Sequence, residues 1–198
     1  MLYNKNNLAV AKFCARDGYK PEIAGVYFTK EKTCATDAII LLEMSVDSSQ
    51  KVEDYPKVQK ASAMRGFKPF IVSKEWISKV KIPQSRLLPI LNNVAVKHIK
   101  KDKVEFMMTE DATTAQIFSV PRVEGKFPDY EDIFPKGKPV AQFSINGEKF
   151  AELLKVMSGL PLNKKVKVSF YGAEKPVVLE AGNDTQRSRG MISVLREN

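Results

Sequence analysis

The sequence contains few of the residues that metal binding and covalent catalysis require. It holds one histidine and two cysteines among 198 residues. Cys14 and Cys34 form no CxxC pair, and His98 stands alone in the alternating segment VAVKHI, which predicts an ordinary strand histidine. The usual spacings of zinc ligands, the GxSxG elbow and the glycine-rich nucleotide loops are all missing. We therefore expect no enzyme activity and no cofactor.

Long hydrophobic runs are also lacking. The longest uninterrupted apolar run, Ala38 to Leu42, is far shorter than a membrane span. The first residues, MLYNKNNLAVAKF, do not follow the basic-then-apolar pattern of a signal peptide. Two separated cysteines are typical of a reducing compartment. The sequence thus predicts a globular cytoplasmic protein with no membrane partner.

Charge gives the first indication of function. The formal net charge is +9, from 32 basic and 23 acidic side chains. The excess is spread over all three thirds of the chain instead of forming a basic tail. A folded surface with this balance favours a polyanionic partner, with nucleic acid first among the candidates.

The pattern strand, short amphipathic helix, further strands occurs three times. We predict a first helix from Leu8 to Arg16, capped by Asn6 or Asn7, and a second from Lys74 to Ile82, capped by Ser73. Asn146 caps the third predicted helix, whose apolar stripe contains the following residues: Phe150, Leu153, Leu154 and Met157. The three helices indicate three similar units.

The predicted strands fill the rest of each unit. The first unit has predicted strands at 22–29 and 33–46, and a polar linker or loop at 47–66. In the second unit, alternation at Val104, Phe106 and Met108 indicates a strand with one buried face. A proline- and glycine-rich connector, RVEGKFPDYEDIFPKGKP, precedes the third unit.

Three segments resemble one known family. The connector VEGKFPDYEDIFP (123–135) resembles the signature G-[RK]-FPDY-x-x-x-[IVL]-P of the bacterial beta sliding clamp, the processivity subunit of DNA polymerase III. GVYFTKEKTCATDAIILLEM (25–44) resembles the strand pair of that family that contains A-T-D-G-H-R-L-A, and RGMISVLR (189–196) resembles its carboxy-terminal V-V-M-P-M-R. The order and spacing of the three segments also agree with the family.

The sequence departs from the family at informative places. Ile39 and Ile40 replace the histidine and arginine of the motif, and the proline of the carboxy-terminal motif is lost. The family's chain is nearly twice as long, with three domains that each consist of two strand-helix units. Three units are present here, and the resemblance identifies the first two with the middle domain.

The resemblance implies an α+β DNA-clamp fold, with antiparallel sheets on the outside and helices on one face. It implies a clamp domain at 1–122, a connector at 123–139 and a half-domain at 140–198 that is similar to the carboxy-terminal part of the family's last domain.

In this family, helices line a channel around duplex DNA and hold the phosphates without reading the bases. Carried over by position, the DNA-facing candidates are Lys5, Lys12, Arg16, Lys20, Lys74, Lys79, Lys81, Lys149 and Lys155. For each of these residues, an ordinary solvated lysine or arginine is the alternative interpretation.

The family also binds peptides of polymerases and clamp loaders in a hydrophobic cleft between its middle and last domains. The corresponding residues here are Thr36, Ile40, Leu41, Pro135, Met191, Ile192, Val194 and Leu195. Strand core is the alternative interpretation, above all for Leu41 and Ile192. With isoleucine in place of histidine and arginine, the cleft is expected to be more apolar and to prefer a different peptide.

Two functions follow from the resemblance. One is a sliding-clamp-like processivity factor that encircles or cradles duplex DNA, and the other is a peptide-binding adaptor that does not form a ring. A closed ring in this family has twelve strand-helix units, so a homo-oligomer is expected, with a ring of four chains as one form.

Overall fold

The computed structural model describes residues 1–16, 18, 20–56, 67–111, 113–159, 165–182 and 186–195. The chain divides into two units, Met1–Asp132 and Ile133–Asn198, and the division falls within the predicted connector. Half of the predicted linker at 47–66, residues 57–66, lies outside the described residues.

The first unit contains two halves with the same order of elements. The first half consists of β1 (Leu2–Asn4), α1 (Lys5–Ala9), a 3-10 helix (Val10–Phe13), β2 (Gly25–Phe28), β3 (Lys32–Thr36) and β4 (Leu41–Ser45). The second half consists of β5 (Phe70–Ser73), α2 (Lys74–Lys79), β6 (Asn93–Ile99), β7 (Lys103–Met108) and β8 (Gln116–Pro121). In each half, one strand leads directly into a helix and three strands follow.

The two halves exchange their first strands. One four-stranded antiparallel sheet has the order β1-β6-β7-β8, and the other has the order β4-β3-β2-β5. Thus β1 joins the sheet of the second half, and β5 joins the sheet of the first half. Neither sheet is complete without a strand from the other half.

An aromatic cluster joins the halves in one core. The Phe28 ring stacks on Phe70 with centroids 4.9 Å apart, and Tyr3 meets the Phe28 ring edge-on at 5.0 Å. Phe106 completes the cluster, and all four side chains are almost completely buried. Because Phe28 and Phe70 belong to different halves, the core forms only when both halves are present.

The first helix differs from its prediction. It begins at Lys5, and the cap is Asn4, whose side chain accepts hydrogen bonds from the backbone N–H groups of Asn6 and Asn7. The α-helix ends at Ala9 and continues as a 3-10 helix from Val10 to Phe13, so the predicted helix at Leu8–Arg16 was wrong at both ends. The second helix ends at Lys79, one turn before the predicted Ile82.

The predicted strand at 33–46 is in fact two strands, β3 and β4, joined by a tight turn. Ala38 in this turn has a φ of 75°, which lies in the left-handed region that disfavours residues with a Cβ atom. The family motif quoted above has glycine at this position. The strain at Ala38 is therefore local, and it comes from the missing glycine.

Replacing Ala38 with glycine is expected to raise the free energy of unfolding by about 1 kcal/mol, because glycine adopts positive φ without steric cost. Urea unfolding, followed by the fluorescence of the single tryptophan, Trp76, measures the change in the first unit. Ala9→Gly is the matched control: Ala9 has a helical φ of −64°, so this change is expected to destabilise by about 0.5–1 kcal/mol. A loss of stability in both variants would contradict the prediction.

Both cysteines lie in the interior of the first unit and are free thiols. Burial raises the pKa of Cys14 to about 12 and that of Cys34 to about 11. At about pH 8, roughly 0.1% or less of either thiol is then ionised, so we expect the native protein to resist alkylation by iodoacetamide. Mass spectrometry should find two modified cysteines after unfolding in guanidinium. Fast labelling of the native protein would contradict the burial of these side chains.

The second unit contains one strand-helix unit. Its elements are β9 (Ser144–Ile145), α3 (Gly147–Met157), β10 (Lys167–Ser169), β11 (Val177–Gly182), β12 (Arg187–Ile192) and β13 (Val194–Leu195). Strands β10, β11 and β12 form one antiparallel sheet, and β13 pairs with β9. Asn146 caps α3 by accepting a hydrogen bond from the Lys149 N–H at 3.0 Å, as predicted.

The apolar stripe of α3 packs on the sheet of the second unit. Met157 is buried together with Val177 and Leu179, and Phe150, Leu153 and Leu154 are half-buried around them. In the described ranges, no helix has the length and apolar content that a membrane crossing needs.

Candidate nucleic-acid interface and peptide groove

A buried asparagine fixes the orientation of α1. Asn7 is completely buried, and its Nδ2 donates hydrogen bonds to the backbone oxygens of Met44 and Ser45, at 3.1 and 3.0 Å. Its backbone oxygen accepts a hydrogen bond from the Thr33 hydroxyl at 2.9 Å. These bonds attach one side of α1 to β3 and β4, so the opposite side faces solvent with Lys5.

The α2 helix is held on the core of the first unit mainly by its apolar side. Ile77 is buried in the common core, and the Lys74 N–H donates to the Ala24 backbone oxygen at 3.1 Å. The Lys74 ammonium lies close enough to Cys14 to counteract part of the rise in the pKa of that thiol. Residues at the start of α2 therefore lie beside the end of the 3-10 helix, and the cations of the two segments share one region.

All seven predicted DNA-facing residues of the first unit are exposed: Lys5, Lys12, Arg16, Lys20, Lys74, Lys79 and Lys81. They lie on α1, the 3-10 helix and α2 or in the segments that follow them, whereas the apolar sides of these helices fill the core. Six of the seven have no carboxylate within ion-pair distance in the described part of the chain. Their charge is available to an anion.

Lys79 differs from the other six. Its ammonium pairs with Glu75 and lies 4.1 Å from the centre of the Trp76 ring. A phosphate would have to compete with both contacts, so Lys79 is a weaker candidate for a phosphate contact than the other six residues.

The structure adds Arg86 to the basic surface. Arg86 and Lys5 line the same open groove of about 470 Å³, with Asn4, Asn6, Gln84 and Ser85 between them. Sequence analysis missed Arg86 because it lies in a proline-rich loop, whose path the pattern of apolar residues does not indicate. The groove has cations and amide groups on its walls, which suits the oxygens of a phosphate backbone.

The two DNA-facing candidates of the second unit lie on α3. Lys155 is exposed in the last turn of the helix, and Lys149 forms an ion pair of 3.1 Å with Glu152. Glu148 is also exposed in the first turn, so the solvent side of α3 carries mixed charge. This surface is less favourable for DNA than that of the first unit.

The FPDY segment is an anchor that packs on the first unit. The Phe127 ring lies parallel to the ring of Tyr27 at 4.8 Å, and Tyr130 meets Phe127 edge-on at 5.9 Å. Lys32 lies over the Tyr130 ring and donates hydrogen bonds to Glu43 and Glu131, at 2.7 Å each. These two hydrogen bonds raise the pKa of Lys32.

The structure also requires glycine at position 125 of this segment. Gly125 has a φ of 115°, and a Cβ atom there would lie 2.6 Å from the side chain of Glu22. Glycine is therefore required both for the backbone conformation and for the close approach to Glu22. The signature that carried the resemblance is structural: it fixes the connector on β2 and β3.

Three predicted cleft residues lie at the turn between β3 and β4. Thr36 is buried, and its hydroxyl donates to the Ile40 backbone oxygen at 2.7 Å. Asp37 accepts hydrogen bonds from the N–H groups of Ile40 and Ile39, which lower the pKa of its carboxyl group. The isoleucine side chains point away from this bonded turn: Ile39 is 90% exposed and Ile40 is 49% exposed. Leu41 is half-buried against the cluster that contains Phe127 and Tyr130.

The other cleft residues belong to the second unit. Val194 and Leu195 line an open groove of about 950 Å³ with Phe143 and Pro176, and Leu195 is 52% exposed. Met191 pairs with Val178 in the sheet and is exposed, whereas Ile192 packs into the core against α3. Pro135 is exposed, and Arg196 lies outside the described residues. The predicted cleft residues thus form two sets, one in each unit.

Comparison with known proteins gives a result only at the level of structure. No family model and no curated protein match the sequence. Among solved structures, the DNA polymerase III subunit beta of Pseudomonas aeruginosa matches with a TM-score of 0.66 at 15% identity, over 98% of this chain and 50% of the other. The chain has the sliding-clamp fold.

Further clamps agree with this result. The DNA polymerase III beta chain of Streptococcus pneumoniae matches with a TM-score of 0.60 at 13% identity, over 99% of this chain and 49% of its own. The DNA polymerase sliding clamp of Bacillus subtilis matches with a TM-score of 0.61 at 13% identity, over 95% and 46%. The chain thus spans about half of the length of these clamps, and the predicted α+β clamp fold is confirmed.

Proposed function

We propose that the protein is a sliding-clamp-like processivity factor. It cradles duplex DNA through phosphate contacts and tethers a polymerase or clamp loader through apolar residues. The supporting observation is the exposed basic side of α1, the 3-10 helix and α2 on a clamp fold. Because hydrogen bonds and apolar packing hold the two helices on the sheets, these cations are presented without a large conformational change. In this role the protein is cytoplasmic and not an enzyme.

The proposed interface reads no sequence. Lysine and arginine side chains on a helical surface reach phosphates, and neither α-helix in the described part of the first unit has the length to fill a major groove: α1 and α2 have 5 and 6 residues. Affinity is then set by the release of counterions, which makes it strongly dependent on salt and nearly independent of base sequence.

The test is fluorescence anisotropy with three labelled duplexes of unrelated sequence over a series of salt concentrations. Six phosphate contacts would give a slope of about −5 in a plot of log K against log salt, the same for all three duplexes. A slope near zero, or a strong preference for one duplex, would overturn the proposal. Retention on circular DNA, with release after linearisation, would further indicate encirclement by an oligomer.

The exposed Ile39, Ile40 and Leu195 favour a second candidate function, a peptide-binding adaptor. Peptides that tile the polymerase of the same organism would then bind with a Kd independent of DNA. Ile40→Asp and Leu195→Asp are expected to abolish this binding, while Leu87→Asp, at a side chain that is 92% exposed in another loop, leaves it unchanged. Peptide binding together with salt-independent, negligible DNA binding would favour the adaptor.

A further inference from the structure

The exchange of first strands in the first unit follows one rule. Each first strand ends at the residue that caps the following helix, and this residue pairs with the first residue of the receiving strand in the other half. Asn4 pairs with Asn93 in this way, and Ser73 pairs with Gly25. These two strand pairings are equivalent joints. Each half donates its first strand to the other half and accepts a strand in return.

The second unit has the organisation of one such half. β9 leads directly into α3 through the capping residue Asn146, and three antiparallel strands follow. After the third strand, the chain returns to its own first strand: β13 pairs with β9, just as Val123 bridges to Ile71 of β5 in the first unit. The correspondence therefore covers both ends of the unit.

The receiving position of the second unit is unfilled. In the first unit, β2 and β6 each hold a strand on both edges, but in the described residues β10 pairs with β11 alone. The side chains at and directly after this edge strand are correspondingly exposed. Val168 in β10 is 37% exposed, and Phe170, directly after β10, is 59% exposed although its ring lies 5.2 Å from that of Phe143. Val26 and Phe28, at the matching positions of the first half, are completely buried.

We propose that this face of the second unit is an interface with the second unit of another copy of the same chain. In the pair, β9 of each copy extends the sheet of the other by pairing with β10. A second copy is the occupant that the geometry favours, because each copy carries both the strand to donate and the edge to receive it. In a dimer with a two-fold axis, the two exchanged strands complete both sheets at once.

The pairing removes two liabilities of the isolated unit. It fills an open strand edge, which would otherwise invite unspecific association. It also buries the exposed area of Val168 and Phe170, as Phe70 of β5 helps to bury Phe28 in the first unit. By the rule of the first unit, Asn146 of one copy lies opposite Lys167 of the second copy, and Ile145 lies opposite Val168. The inference is independent of DNA binding and holds equally for the adaptor.

The first experiment measures the mass of the full chain in solution by light scattering and native mass spectrometry. An even number of chains of 22.3 kDa per particle is expected. Val168→Lys places a charge in the proposed joint and should halve the number of chains per particle. The matched control, Leu87→Lys at an exposed loop position, should leave the mass unchanged. A wild-type monomer, or a mass that is insensitive to Val168→Lys, would overturn the proposal.

A cross-link tests the same joint without a disruptive charge. The double variant Ile145→Cys, Val168→Cys should form a covalent dimer under mild oxidation, resolved on a non-reducing gel, because each copy offers the partner for the other. Cys14 and Cys34 are buried and give little background. The single variant Ile145→Cys should give far less dimer. An even-numbered particle without this cross-link would overturn the strand pairing and point to another interface.

Discussion

Simultaneous replacement of Lys12, Arg16 and Lys74 with glutamine is expected to weaken the binding of duplex DNA about 100-fold at moderate salt. These three residues are exposed on the helical side of the first unit, and Lys74 lies beside the end of the 3-10 helix, near Cys14. We choose Lys74 instead of Lys79, because Glu75 and Trp76 already occupy the ammonium of Lys79.

The salt dependence of DNA affinity provides the stronger test. Each lost phosphate contact removes about 0.9 from the slope of log K against log salt, so the triple variant should lose between about 2 and 3. The control changes the charge equally at exposed residues away from the helices: Lys30, Lys101 and Lys126. Equal losses of affinity in both variants would show that only net charge matters, which would contradict a defined interface on the helices.

Phe127→Ala is expected to lower the free energy of unfolding of the first unit by about 3–5 kcal/mol. The ring is 4% exposed, lies parallel to Tyr27 and contacts Tyr130 edge-on. Its removal leaves a cavity at the point where the connector is attached. Since whole domains have stabilities of about 5–15 kcal/mol, this change should shift the urea midpoint of Trp76 fluorescence by a large fraction.

Ile133→Ala is the control for Phe127→Ala. Ile133 follows Phe127 closely in the chain, but its side chain is 69% exposed, so its loss should cost less than about 0.5 kcal/mol. A small effect of Phe127→Ala would mean that the FPDY segment does not anchor the connector on the first unit. Its signature would then require another explanation, such as a direct contact with a partner.

The elements that the sequence predicted well depend on local chemistry. The cap at Asn146 and the apolar stripe of α3 follow from residues three and four apart, and the strand through Val104 and Phe106 follows from alternation. The basic residues on the helical segments were identified by position, and all of those in the first unit are exposed. The first helix was misplaced because the Asn4 cap lies at the end of a strand that the pattern does not reveal.

The remaining features depend on contacts between segments that are far apart in the sequence. Nothing in the local pattern of Leu2–Asn4 or Phe70–Ser73 indicates that each strand joins the sheet of the other half, because alternation specifies a buried face but not the partner strand. The same holds for the burial of Asn7, which acceptors far along the chain make possible, and for Arg86, which its loop brings to the groove beside Lys5.

The sequence by itself therefore determined the basic balance, the three strand-helix units and the connector that resembles the sliding clamps. Tertiary structure alone decided which half completes which sheet, since the free energy of a strand edge is gained only when a distant segment pairs with it. It also decided that the isoleucines after Asp37 are exposed and that Val168 and Phe170 of the second unit remain partly exposed. The surfaces proposed for DNA, for peptides and for a second copy depend on that pairing.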